Sequence, residues 1–187
     1  MDQRWLVEQA RRGDHDAFAA LAGAAIARLD AAARLILRDP ELARDAVQEA
    51  FIRAWRDLPG LRDPDRFDAW LHRLTVHACI DAARRRRRRP VEVELTPLIV
   101  AGVPDTSAQL ADRDLLDRAL RALEPEWRAI VVFHYYLGMP LPDVADALGI
   151  PLGTAKSRLH RSLSVLRAVM VTDDATKTAQ LPKGQYA

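Results

Sequence analysis

The sequence predicts an all-α chain, two small helical domains joined by a flexible linker. Apolar residues recur at helical spacing through most of the 187 residues, and no stretch alternates with period two for long enough to argue a sheet. One segment, 91–110, breaks the pattern: it holds Pro97, Gly102 and Pro104, and its charges are Glu92, Glu94 and Asp105 with no Lys or Arg. It follows directly on an unbroken run of six arginines at 84–89 and Pro90. The expected boundaries are therefore a first domain at 1–90, the linker at 91–110, a second domain at 111–170, and a polar, disordered tail at 171–187.

Punctuation sets the helices of the first domain. Gly13 closes a short first helix, and Asp14 caps a long second one that runs through 17–37. Asp39 followed by Pro40 restarts the chain, because Asp accepts first-turn amides and Pro suits the first helical position. This third helix runs to about Arg56, and after the turn DLPGLRDP a fourth begins near Asp65 and continues into the arginines. Beyond the linker, helices are expected at 112–123, 126–137, 141–148 and 152–169.

The faces of these helices carry the functional information. On the third helix Ala43, Val47, Ala50, Phe51 and Ala54 share one side, and Asp45, Gln48, Glu49, Ile52 and Arg56 share the other. A solvated face would explain the acids, but Ile52 ringed by polar residues suits a protein contact. The fourth helix buries Phe67, Trp70, Leu71, Leu74 and Ala78 and leaves Arg73, His77, Arg84, Arg85 and Arg87 for the surface. Consecutive arginines repel one another, so a polyanion bound there would stabilise the helix; a solubilising helix end that suits the dipole is the plainer alternative.

Residues 150–167, IPLGTAKSRLHRSLSVLR, hold no acid. At about 100° per residue, Ala155, Leu159, Leu163 and Leu166 fall on one side and Thr154, Ser157, Arg158 and Arg161 nearly opposite. The preceding helix presents Leu141, Val144, Ala145 and Leu148 inward, and Gly149 supplies the left-handed stop before the next helix begins. Two helices joined this closely make a helix-turn-helix whose second helix enters a major groove by its N-terminal residues. Lys156, His160 and Arg167 flank the reading side chains and suit phosphates, and Gly153 keeps the tip narrow.

Other chemistries leave no trace. The sequence has no Gly-rich phosphate loop, no paired Cys motif and no nucleophile elbow, and His77 and Cys79 lie two apart on a helix, a poor metal pair. No catalytic residue, metal or cofactor is expected. Cys79 stands alone, which excludes an internal disulfide and fits a reducing compartment. The N-terminus is amphipathic and carries acids, unlike a secretory signal, and no apolar run is long enough to span a bilayer, so a cytoplasmic location without membrane insertion is expected.

Three ordered segments, DPELARDAVQEAFIRAW, FDAWLHRLTVHACIDAARRRRRR and the long stretch from LRALEPEW to HRSLSVLR, resemble the extracytoplasmic-function, or group IV, sigma factors of bacterial RNA polymerase. The resemblance covers roughly 14–166 with a gap at the linker. It implies that the first domain binds the polymerase clamp through Asp45, Gln48, Glu49 and Ile52, with Phe51 supporting from within, and reads the −10 promoter element with Arg73, His77, Arg84, Arg85 and Arg87. It implies that the second domain meets the flap and reads the −35 element with Thr154, Lys156, Ser157, Arg158, His160 and Arg161.

The family usually has Asn where this chain has His77, so the base contact there has a different geometry. The loop LPGLRDP matches the segment that receives a flipped-out base, yet it holds no aromatic for stacking. The linker acids would imitate a nucleic-acid strand in the polymerase's RNA exit path, although a solvated tether explains them equally. A monomer that joins core polymerase is expected, and the sequence is compatible with control by an anti-sigma protein. A dimeric helix-turn-helix regulator and an RNA-binding accessory protein are the alternatives from other classes; size and polymerase-free RNA binding separate them.

Overall fold

Aspartates start the helices of the first half. Asp2 accepts the Arg4 amide at the head of α1 (Gln3–Arg11). Asp14 accepts the amides of Asp16 and Ala17 at 2.9 and 3.0 Å and opens α2 (His15–Leu37). Asp39 does the same for Glu41 and Leu42, with Pro40 first in α3 (Pro40–Asp57). Each such cap is worth about 1 kcal/mol. The connection LPGLRDP folds into two short 3-10 turns, Leu58–Gly60 and Pro64–Arg66, before α4 (Phe67–Arg88). The computed structural model describes residues 2–88 and 107–180. Among them there are eight α-helices and no strand, the all-α class that the spacing predicts.

The second half comprises α5 (Ser107–Arg121), α6 (Pro125–Val131), α7 (Leu141–Leu148) and α8 (Leu152–Gln180). A π-helical turn, Val132–Tyr136, extends α6 close to the expected end of that helix. Two boundaries differ from expectation. Helix α5 begins at Ser107, inside the stretch assigned to the linker, because nothing after Pro104 forbids a helix. Helix α8 continues to Gln180 rather than ending near Val169: 170–180 contain neither Gly nor Pro, so part of the expected disordered tail is helical. The remaining linker residues, Glu92, Glu94 and Asp105 among them, and the tail beyond Gln180 lie outside the described residues.

Helix α2 ends on Arg38 in the left-handed conformation (φ 61°), a position that usually takes glycine. This turn redirects the chain into α3, and α2, α3 and α4 pack on one another around Leu29, Ile36, Ala50, Leu71 and Val76. Cys79 is sealed in the same core, which pushes its thiol up to about 12. The core does not stop at the domain boundary. Ile130, Phe133, Met139 and Val144 of the second half join the same cluster of buried apolar side chains. A smaller cluster, Ala119, Leu120, Leu123 and Leu166, fastens α5 to α8.

Candidate nucleic-acid interface

The predicted protein-contact face of α3 is open. Asp45, Gln48 and Ile52 are exposed, Ile52 by 53%, while Ala43, Val47, Ala50 and Ala54 lie in the core beneath and Phe51 is half-buried. Glu49 accepts from Arg53 at 2.7 Å, which fixes the direction of its carboxylate along the helix.

The basic face of α4 has a different setting. Phe67, Leu71 and Ala78 are buried as the spacing requires, Trp70 and Leu74 half so, and Arg73, His77, Arg84, Arg85 and Arg87 are exposed. The terminal arginines meet carboxylates. Arg86 pairs with Asp39 at 3.3 Å, whereas Arg84 and Arg87 reach across to the second half, to Glu126 at 3.7 Å and Glu124 at 3.2 Å. His77, Arg84 and Arg87 line a cleft of about 760 Å³ whose other wall is Glu124, Glu126, Gly149, Ile150 and Arg158.

A second cavity, about 430 Å³, opens beside the LPGLRDP loop. Leu61, Arg62 and Asp63 of the loop and Arg66, Trp70 and Arg73 line one side, and Met139, Asp143 and Asp146 the other. The loop itself carries no aromatic, but α4 supplies one. Trp70 was legible only as a core residue, because helical spacing gives its average side and not the cavity that its ring borders.

The helix-turn-helix forms as predicted. Gly149 takes φ 64°, and its amide and that of Ile150 bond to the carbonyls of Asp146 (3.1 Å) and Ala145 (3.0 Å). Ala155 and Leu159 are buried on the inner side of α8, with Leu163 half-buried and Leu166 closing the smaller cluster. On the outward side Lys156, Ser157, His160 and Arg161 are exposed, and Thr154 and Arg158 are half-buried, Arg158 at the edge of the cleft. The Ser157 hydroxyl donates to the Thr154 carbonyl at 2.9 Å. Among the described residues no carboxylate pairs with Lys156, Arg158 or Arg161.

The side chains that join the two halves escape sequence reasoning. Arg128 of α6 is only 6% exposed, and it donates to the Ile36 carbonyl near the end of α2 and to the Leu123 carbonyl, both at 2.7 Å. Burial pulls its guanidinium down to about 10, with Arg38 acting in the same direction. Arg38 forms an ion pair with Asp117 of α5, and Arg28 of α2 donates to the carbonyls of Tyr136 and Leu137. An arginine within a helical run carries no sequence signal that it will be buried against another domain.

Both halves match known families in the same order. Sigma-70 region 2 matches residues 24–89 and Sigma-70, region 4 matches 113–166. The RNA polymerase sigma-E factor of Streptomyces avermitilis is 36% identical over 142 residues, 76% of this chain and 78% of that protein. The ECF RNA polymerase sigma factor SigM of Mycobacterium tuberculosis is 36% identical over 159 residues, 84% and 79% of the two chains. Among solved structures, CnrH in complex with the cytosolic domain of CnrY superposes with a TM-score of 0.67 at 28% identity, over 91% of this chain and 98% of that one. The sigma factor RpoE in complex with the anti-sigma factor NepR from Bartonella quintana shares the fold, with a TM-score of 0.69 at 23% identity over 83% and 98%. The region 2 match falls on α2 to α4 and the region 4 match on α5 to α8, so the chain belongs to the extracytoplasmic-function sigma factors of RNA polymerase.

Proposed function

We propose that the chain joins core RNA polymerase and directs it to promoters that carry both a −10 and a −35 element, as a group IV sigma factor working in the cytoplasm as a monomer. The observation that carries this reading is the pairing, in one chain, of a basic helix over an open protein-contact face with a helix-turn-helix that turns Ser157 and Arg161 fully outward and Thr154 and Arg158 partly so. Among the described residues no helix is long and apolar enough to cross a membrane.

In this reading 1–90 is the clamp and −10 unit, 91–110 the tether, 111–170 the −35 unit and 171–187 an appendage. Asp45, Gln48, Glu49 and Ile52 bind the clamp. Arg73, His77, Arg84, Arg85 and Arg87 hold the −10 strand, and Trp70 offers a ring for an extruded base in the cavity beside the loop, where stacking is worth about 1–3 kcal/mol. Thr154, Ser157, Arg158 and Arg161 meet base edges or backbone in the −35 groove, and Lys156 and His160 hold phosphates. Neither half need bind strongly alone. Once both ride on one polymerase the second contact is effectively intramolecular, so a promoter needs both elements at the right spacing. RNA synthesis itself belongs to the polymerase, and the same surfaces suit an anti-sigma partner.

Run-off transcription of genomic fragments with core polymerase, with and without the chain, tests this. Discrete new transcripts that share two upstream elements are expected. Their absence, together with failure of the chain to comigrate with core polymerase, would overturn the reading in favour of a stand-alone DNA-binding regulator.

A further inference from the structure

Resting on the promoter reading, we propose a further nucleic-acid site in the first half: Arg11 and Arg12, at the end of α1, hold phosphates of the displaced strand just beyond the −10 element, on the side nearer the start site. Both residues precede 24–89, the stretch that matches Sigma-70 region 2, so the site rests on this chain's own residues.

A cleft of about 420 Å³ lies between the end of α1 and the turn Leu58–Gly60, lined by Glu8, Arg11, Arg12 and Pro59. Its cations are available. Among the described residues no carboxylate pairs with Arg11 or Arg12, and the Nε of Arg11 is buried without a hydrogen-bond acceptor. A buried donor left without an acceptor costs free energy, and a phosphate oxygen would supply the missing bond. The cleft's one acid, Glu8, lies 3.6 Å from Arg4, and nearby Asp14 accepts the amides of Asp16 and Ala17. The helix dipole favours cations at the end of α1 as well, but it accounts for neither the cleft nor the unpartnered Nε.

The turn that closes this cleft also borders the cavity proposed for the extruded base. Pro59 lines the first and Leu61 the second, and two residues of chain span at most about 7 Å. In that second cavity Arg62, Arg66 and Arg73 stand beside Trp70, with Asp63, Asp143 and Asp146 sharing the lining. The direction follows from the tether. The linker and the −35 unit continue from the arginine-rich end of α4, so in the promoter reading that end lies upstream. From Arg87 to Arg73 the helix rises about 21 Å towards the loop. A strand followed along α4 away from the tether reaches the loop next, and the α1 cleft lies past it. Guanidinium groups grip phosphate whatever the base, so this site lengthens the held strand without adding sequence preference.

The test uses core polymerase carrying the full chain and two promoter probes, each a −35 duplex with a single-stranded non-template overhang. One overhang ends at the downstream edge of the −10 element, and the other runs on by about six nucleotides. Arg11→Ala with Arg12→Ala should weaken binding of the long probe alone and lower its salt slope by about 1.4, about 0.7 for each single-strand phosphate. Arg11→Lys with Arg12→Lys keeps both charges and should retain most of that slope. Circular dichroism establishes that each variant is folded. Equal losses on the two probes by folded variants, or no loss on the long one, would overturn the site. A second measurement leaves the arginines in place. Pro59→Cys, labelled with a photo-crosslinker while buried Cys79 stays unlabelled, should join the long overhang beyond the −10 element. Crosslinks confined to the duplex or the −10 element in an actively transcribing complex would overturn the site and leave the promoter reading standing. A wild-type chain that neither binds polymerase nor supports transcription would instead remove both.

Discussion

The two basic surfaces of this chain look alike in the sequence and differ in the fold. On α4 the arginines meet carboxylates, two of them from the other half of the molecule. On α8 Lys156, Arg158 and Arg161 have no such partner among the described residues. A run of arginines therefore states how much charge is present, and only the packing states whether it is available. In the proposed promoter binding, the α4 face would exchange internal acids for phosphates, while the α8 face would gain phosphates and give up only counterions.

The largest test of this contrast concerns the shared core that holds the second half beside the α4 face. Phe133 is fully buried in the cluster that spans both halves. Phe133→Ala should cost about 3–5 kcal/mol and lower the stability of both halves together. Urea unfolding followed by probes in each half would reveal it; one half melting alone would mean that the core is not shared.

Next in size is Arg158→Ala, expected to weaken binding to a matched −35 duplex by about 1–3 kcal/mol with little effect on a mismatched one. Lys156→Ala should weaken both equally and reduce the salt slope by about 0.9. Competition titrations at several salt concentrations separate the two roles, and an Arg158 variant with no preference lost would remove it from base reading.

On the α4 face, Arg87→Ala should change stability of the free chain by less than about 1 kcal/mol, because its bond to Glu124 is solvent-exposed. Promoter opening measured by permanganate footprinting should nevertheless fall. Equal losses in stability and opening would make Arg87 structural.

The smallest effect is a pH slope. Burial holds the His72 imidazole below its ordinary 6.5, with Arg28 adding to the shift and Asp68 opposing it. The folded chain thus favours the neutral ring, and below pH 6.5 the unfolded chain takes up more protons. Stability should decline as pH falls from 6.5 through the lower folded value, and His72→Gln should flatten that decline. An unchanged slope in denaturation midpoints would assign it elsewhere.

Most of the helical plan was legible because its signals are local. Asp14, Asp39 and Gly149 act within a few residues of themselves, and each marks a helix end as read. The basic outward face of α8 and the open face of α3 were legible for the same reason, since a periodic pattern defines a side. What escaped is non-local. Arg128, Arg38 and Arg28 each join the two halves through a carbonyl or carboxylate at least 79 residues away, and Trp70 borders a cavity completed by Met139. The extension of α8 escaped because polar composition was read as disorder where no helix breaker stood.

That extension has a mechanical consequence. A helix of 29 residues rises about 43 Å, while a major groove is about 12 Å wide. In the proposed docking, the eight residues from Thr154 to Arg161 rise about 12 Å, as much as the groove is wide. The rest of α8 must stand clear of the duplex as a rod about 30 Å long, so whatever touches its far end touches something other than the bases the tip has read.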